Sequence, residues 1–431
     1  MTECSSQKSI RMTLPQRKEK REDGGFHRPR GILIFFGLGM TLTGLDVLAH
    51  EGFSRLRGGR IGLVTHSAAV DRRFRQAIDL LAAAEGIALV AVFGPEHGLH
   101  GQAQDLESVT DAETAAPALR TYSLYGDTAA SLRPTASQLA GINTLVIDLV
   151  DIGSRYYTFQ ATMKYCLEAA VPLGIRVVVL DRPNPLGGHL VEGPAVRLGY
   201  ESFVGAHDIA IRHGLTIGEL AGLYAADLGL DAAALDVVRC EGWRRGMRFE
   251  DCRLPWVLPS PNMPTADTAV VYPGQCLLEG TNLSEGRGTT RPFEICGAPW
   301  IDGESLAHRL AAFDLPGVVF RPLTFRPTFQ KHAGIDCGGV QMHVTDRDLF
   351  RPVRASLALL VEMRRQNPER FAWRTETYEF VDDPIAIDLL FGSGRERVAI
   401  EAGVDWREIA AAWEPEERAF GDRRHAALLY S

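Results

Sequence analysis

NTLVIDLVDIG (143–153), FQATMKYCLEAAVPLG (159–174) and IRVVVLDRPNP (175–185) follow one another closely: a β-branched apolar run, a stretch with helical spacing, a second β-branched run. Near-continuous apolar strands separated by amphipathic helices mark a parallel sheet covered on both faces, since parallel neighbours need a long crossover. The same alternation occurs upstream in RIGLVTH (60–66), DRRFRQAIDLLAAAEG (71–86) and IALVAVFGPE (87–96). Residues 44–232 are therefore read as a Rossmann-like doubly wound α/β domain. After about residue 235 prolines gather in LPWVLPSPNMP (254–264) and the strands turn irregular, in TAVVYPGQCLLEG (268–280), GVVFRPLTFRPTF (317–329) and GGVQMHVTD (338–346). One long helix is evident, FRPVRASLALLVEMRRQ (350–366). Residues 233–431 read as a smaller α+β domain, with a cleft between the two.

Polar groups follow each strand of the first domain: Thr65, His66 and Ser67; Glu96; Asp151 and Arg155; Asp181, Arg182 and Asn184. In an open parallel sheet these positions share the carboxyl edge, where ligands bind. Each alone could be a cap or a turn residue; the coincidence over four strands points to a site.

The 431 residues are 45% hydrophobic and 23% charged with a net charge of −8, so the chain folds and has no basic face for nucleic acid. The seven cysteines are scattered, with no C-x-x-C pair and no zinc spacing, and read as reduced. Residues 1–43 read as a disordered or leader-like extension. The apolar run GILIFFGLGM (31–40) is too short to span a bilayer, so no stable membrane anchor is expected. A cytoplasmic location is expected, or an exported or periplasmic one if that head acts as a signal.

Three stretches carry candidate chemistry. In FGPEHGLHG (93–101) glycine and proline fix the backbone around Glu96, as suits a general acid, although a turn or capping role is equally compatible locally. His97 and His100 suggest a metal, but the order is not H-E-x-x-H and the glycines make a loop, so none is expected. In DIGSRYYTF (151–159) Arg155 offers a fork for a carboxylate, and Tyr156 and Tyr157 offer aromatic faces; one of these two tyrosines is expected to be core. GTNLSEGRGTTRPFE (280–294) lacks P-loop order and reads as a substrate-contacting loop carrying Glu285, Arg287, Thr289, Thr290, Arg291 and Glu294. No G-x-G-x-x-G follows the first strand and no G-x-S-x-G is present, so no cofactor is expected and serine hydrolases fall away.

FGPEHGLHG, LYG (124–126), LVDIGSRYYTF (149–159), LDRPNPLGG (180–188), VEGPAV (191–196), RHGLTIGEL (212–220), SPNMP (260–264) and EGTNLSEGRGTTRPFEICGAPWID (279–302), in this order, closely resemble the NamZ-like exo-β-N-acetylmuramidases. The likeness runs from about residue 44 to the end. It implies a glycoside hydrolase releasing non-reducing terminal N-acetylmuramic acid from peptidoglycan-derived disaccharides or muropeptides, with Glu96 as the catalytic carboxyl and His97 as an orienter. Asn262 of SPNMP joins the substrate-binding candidates. This chain has Leu99, His100 and Gly101 where the family commonly reads Ile-Arg-Gly, Val150 in place of Gln and Phe159 in place of Tyr. Glycoside hydrolysis needs a partner for the acid, for which Asp151, Asp181, Glu285 and Glu294 are available, or the substrate acetamido group itself. The lactyl carboxylate calls for arginine: Arg155, Arg182, Arg287 or Arg291. The rival readings are a non-catalytic muropeptide binder and a hydrolase of the lactyl ether or an amide.

Overall fold

The computed structural model describes residues 40–104, 107–109 and 119–431. The expectations for the head of the chain before residue 40 lie outside these residues. Six parallel strands form the first sheet: β1 (Arg60–Thr65), β2 (Ala88–Gly94), β3 (Arg120–Ser123), β4 (Thr144–Asp148), β5 (Arg176–Leu180) and β6 (Leu235–Val238), in the order β3-β2-β1-β4-β5-β6. This doubly wound order reverses between β1 and β4, so the ligand edge lies at their carboxyl ends. β1 and β4 are central and almost wholly buried, which is why their sequences are continuous apolar runs. β6 completes this sheet from beyond residue 232.

Helices cover both faces. Helix Phe159–Ala170 buries nearly every residue, and Ile217–Asp227 starts on a Thr216/Glu219 capping box. A second, antiparallel sheet holds β7 (Ile295–Ala298), β8 (Val318–Phe325) and β9 (Cys337–Val344) in the order β7-β9-β8. The stretch 268–280 corrects the strand expectation: Ala266–Gln275 is an α-helix capped by Thr265, followed by the 3-10 turn Cys276–Gly280. Its Val-Val-Tyr run is buried, and burial on all sides masks helical periodicity. One hydrophobic cluster joins Ile147 and Val179 of the parallel sheet to Leu277, Val340 and Leu357 of the later elements. Six cysteines, Cys166, Cys240, Cys252, Cys276, Cys296 and Cys337, are free and buried. Among the described residues no helix is long and apolar enough to cross a membrane.

Candidate active site

A cavity of ≈ 480 Å³ opens between the carboxyl edge of the sheet and the later elements. From the sheet side come Glu96 and His97 after β2, Tyr156 and Tyr157 after β4, and Val204; from the other side come Ser260, Asn262, Tyr272, Glu279, Arg287 and Glu379, among others.

Glu96 sits in a turn closed by the Gly98 N–H donating to the Pro95 carbonyl (3.0 Å). His97 occupies the left-handed position of that turn, with φ 69°, where glycine or asparagine is usual. Its Nδ1–H donates to the Ala103 carbonyl (2.8 Å), so in the neutral ring Nε2 carries the lone pair. Glu96 is buried, and its Oε2 accepts from the Thr158 hydroxyl (2.5 Å). Among the described residues no cation forms an ion pair with it. Glu279 stands in a different environment: it is ion-paired to Arg287 (2.6 Å) and accepts from the Tyr378 hydroxyl (2.7 Å). A third carboxylate, Glu379, accepts from Tyr125 (3.0 Å). His97, Phe293 and Glu379 line the cavity with positive φ. Such residues cost on the order of 1 kcal/mol each and concentrate at functional sites.

Aromatic rings make the remaining wall. Tyr157 meets Phe159 and Tyr272 edge-on, and Tyr272 meets Phe293 at 4.8 Å. Both Tyr156 and Tyr157 are buried against the cavity, but the Tyr156 hydroxyl is used on the Pro273 carbonyl (2.7 Å), as a core tyrosine's would be, whereas the Tyr157 hydroxyl makes no hydrogen bond among the described residues. Both rings meet Tyr272 edge-on, at 6.2 and 5.9 Å. Burial pushes the phenols of Tyr157 and Tyr378 up, which keeps their hydroxyls as donors. Tyr157 faces Ser260 without a well-directed hydrogen bond.

The structure thus brings together Glu96, His97, Tyr156, Tyr157, Asn262 and Arg287 of the sequence candidates. Asn262 donates from Nδ2 to Gln104 (2.9 Å). Glu285 stands one layer behind the cavity wall, 3.2 Å from Arg287 and 2.9 Å from Lys331. Burial opposes ionisation of Glu285, yet Lys331 and Arg287 hold its carboxyl below the ordinary value. Glu285 therefore steadies Arg287 and does not line the cavity.

The other candidates serve elsewhere. Asp151 accepts from the Gly153 N–H (2.8 Å) and lies 3.4 Å from His213 Nε2, which carries the ring proton because Nδ1 accepts from Leu215. Gly153 takes φ 85°, a conformation that favours glycine, and a Cβ there would come within 2.4 Å of the Asn184 side chain. Asn184 in turn bonds the Leu215 carbonyl and the Leu186 N–H. Asp181 accepts from Thr216, Gly218 and Tyr430, tying the end of the chain to the sheet, and burial pushes its carboxyl up to about 6. Arg182 makes a two-point ion pair with Asp148 (2.6 and 2.9 Å). Arg291 pairs with Glu294, which also accepts from Thr268; Thr289 donates to the Gly286 carbonyl, and Thr290 is exposed. His100 is exposed as well.

Arg155 is fully buried and donates to the carbonyls of Pro194, Ile209 and Leu390. It bolts three segments together and is not available to a substrate carboxylate. Arg155→Ala is expected to cost about 3 kcal/mol or more of unfolding free energy, since three buried acceptors lose their donor. Denaturant unfolding checks this, and the variant's folded fraction should keep its turnover at 25 °C.

Sequence reasoning missed Glu279 and Glu379. Glu279 ends the apolar stretch misread as a strand, although it directly precedes the glycine-rich loop. Glu379 lies in TYEFV (377–381), which carries no recognisable motif.

The family model described as exo-β-N-acetylmuramidase NamZ, N-terminal, matches residues 61–267, and that described as its C-terminal part matches 270–430. A peptidoglycan β-N-acetylmuramidase NamZ of Bacillus subtilis (strain 168) is 44% identical over 391 residues, covering 90% of this chain and 91% of that protein. A DUF1343 family crystal structure from Bacteroides fragilis superposes with a TM-score of 0.82 at 33% identity, covering 91% of this chain and 100% of the other. A second from the same organism gives 0.70 at 26%, covering 91% and 99%. The two models match in order over residues 61–267 and 270–430, and the chain belongs to the NamZ exo-β-N-acetylmuramidase family.

Proposed function

We propose that this protein is an exo-acting glycoside hydrolase that removes non-reducing terminal N-acetylmuramic acid from peptidoglycan-derived disaccharides or muropeptides, with Glu96 as general acid. The observation that carries the assignment is the contrast between two carboxyls in one cavity. Glu96 has a single neutral hydroxyl donor and no cation partner among the described residues; Glu279 is bound to Arg287 and Tyr378. A carboxyl met only by a neutral hydroxyl is placed to pass a proton to substrate, and one held by a guanidinium is placed as a counter-charge. Glu96 donates its proton to the leaving glycosidic oxygen. Glu279 faces the oxocarbenium-like centre as an anion, either directly or by holding the substrate acetamido group in place. His97, fixed through Ala103, orients substrate beside the acid.

The cavity is walled by the carboxyl edge of the sheet on one side and by Ser260, Asn262, Tyr272, Glu279 and Arg287 on the other, which suits a terminal sugar and exo action. Arg287 is the arginine in the described wall and the group proposed to read the lactyl carboxylate, with Asn262 and Ser260 as neutral donors. A chromogenic glycoside of N-acetylglucosamine, lacking the lactyl group, should be turned over at least about 50-fold more slowly than its muramic acid counterpart, because an unmet charged group penalises the analogue. Equal kcat/KM on the two glycosides contradicts recognition of the lactyl group.

A further inference from the structure

Three buried arginines, Arg155, Arg212 and Arg424, form no ion pair among the described residues. Burial pushes all three guanidinium groups down to about 10. A desolvated cation of this kind is tolerated when carbonyl oxygens take the place of water around its donors. Arg155 has three such bonds, and Arg424 has four, to Gly188, His213, Gly214 and His189. Arg212 has one side-chain bond, from Nη2 to the Leu186 carbonyl (2.8 Å), while the Nε of all three is buried without a partner. Glu192, whose backbone pairs with that of Arg212, acts on the guanidinium through space: its Oε1 accepts from the Arg354 N–H (2.8 Å) and its Oε2 is buried without a hydrogen bond.

Arg212 also lines a second cavity, of ≈ 440 Å³, that shares no residue with the hydrolytic one. Its wall includes Gly187 and His189 of the loop after β5, together with Arg245, Arg248, Arg347 and one carboxylate, Asp348. These neighbours are already neutralised. Arg245 pairs with Glu219, Arg248 with the exposed Asp348, and Arg347 with Glu250 and Asp267. Arg212 is therefore the guanidinium of this cavity wall that has no direct ion pair among the described residues, Glu192 and Asp348 acting on it only through space, and the cavity is built from the LDRPNPLGG and RHGLTIGEL stretches that the hydrolytic site leaves unused.

We propose that this cavity binds a small oxyanion, phosphate or carboxylate, with Arg212 at its base and Arg248 and Arg347 around it. An oxyanion would supply the acceptors that Arg155 and Arg424 find in backbone carbonyls, and planar guanidinium suits it in two-point contact. The inference is independent of the hydrolytic assignment.

Calorimetric titration of the full chain with inorganic phosphate, and separately with malonate, at fixed ionic strength and pH 7.5 tests it. One saturable site is expected for at least one probe, and which probe binds identifies the source chemistry. Arg212→Gln should weaken that binding at least about 10-fold, the loss expected for a charge-assisted contact. Arg248→Gln alters only a partly exposed ion pair, leaves the buried network in place, and should weaken binding about threefold. Absence of saturable binding by either probe overturns the proposal, as does unchanged affinity in Arg212→Gln. Should Arg212→Gln fail to fold, unchanged affinity in Arg248→Gln overturns it.

Discussion

Glu96→Gln is expected to lower kcat on a muramic acid–N-acetylglucosamine disaccharide by at least about 100-fold, the scale of lost general acid catalysis. The amide oxygen can still accept from Thr158 at the position of Oε2, so the turn and the fold should persist. The loss should shrink with leaving-group acidity: a dinitrophenyl glycoside needs little protonation and should lose far less than the disaccharide. A residue that only shapes the turn would lower both rates alike. Near-normal turnover of the disaccharide by Glu96→Gln would remove this residue from the chemistry.

Glu279→Gln is expected to lower kcat at least about 50-fold with a small change in KM, because an anion facing the developing positive charge acts mainly in the transition state. Unlike Glu96→Gln, it should affect the dinitrophenyl glycoside and the disaccharide to similar extents. Tyr378→Phe removes one donor to Glu279 and should cost a smaller factor, about 5-fold, from loss of one hydrogen bond. A Glu279→Gln enzyme with unaltered kcat on both substrates would leave the acid without this partner and return the role to the substrate acetamido group alone.

The parallel sheet was legible because β1, β4 and β5 are buried on both faces, so their apolar runs are unbroken. Glu96 was legible for a related reason: a strand end followed by Gly-Pro-Glu fixes where the side chain begins. The partners of Arg155, Arg182 and Asp181 were not legible. Sequence shows that a charge follows a strand, but not whether it turns to the ligand edge or back onto carbonyls and carboxylates. Arg155 binds a carbonyl at residue 390 and Asp181 a tyrosine at residue 430, contacts set by tertiary packing far along the chain. Glu279 escaped notice because the buried helix Ala266–Gln275 is apolar and β-branched on the faces that periodicity would use. Glu379 stands on a left-handed residue, a conformation a non-glycine sequence does not announce.

The most direct measurement is mass spectrometry of the products from a defined muramic acid–N-acetylglucosamine disaccharide in ¹⁸O-labelled water. Free N-acetylmuramic acid and free N-acetylglucosamine are expected, with label on the muramic acid and none on the glucosamine. Release of lactate, loss of an acyl group, or binding of intact disaccharide without cleavage would contradict it.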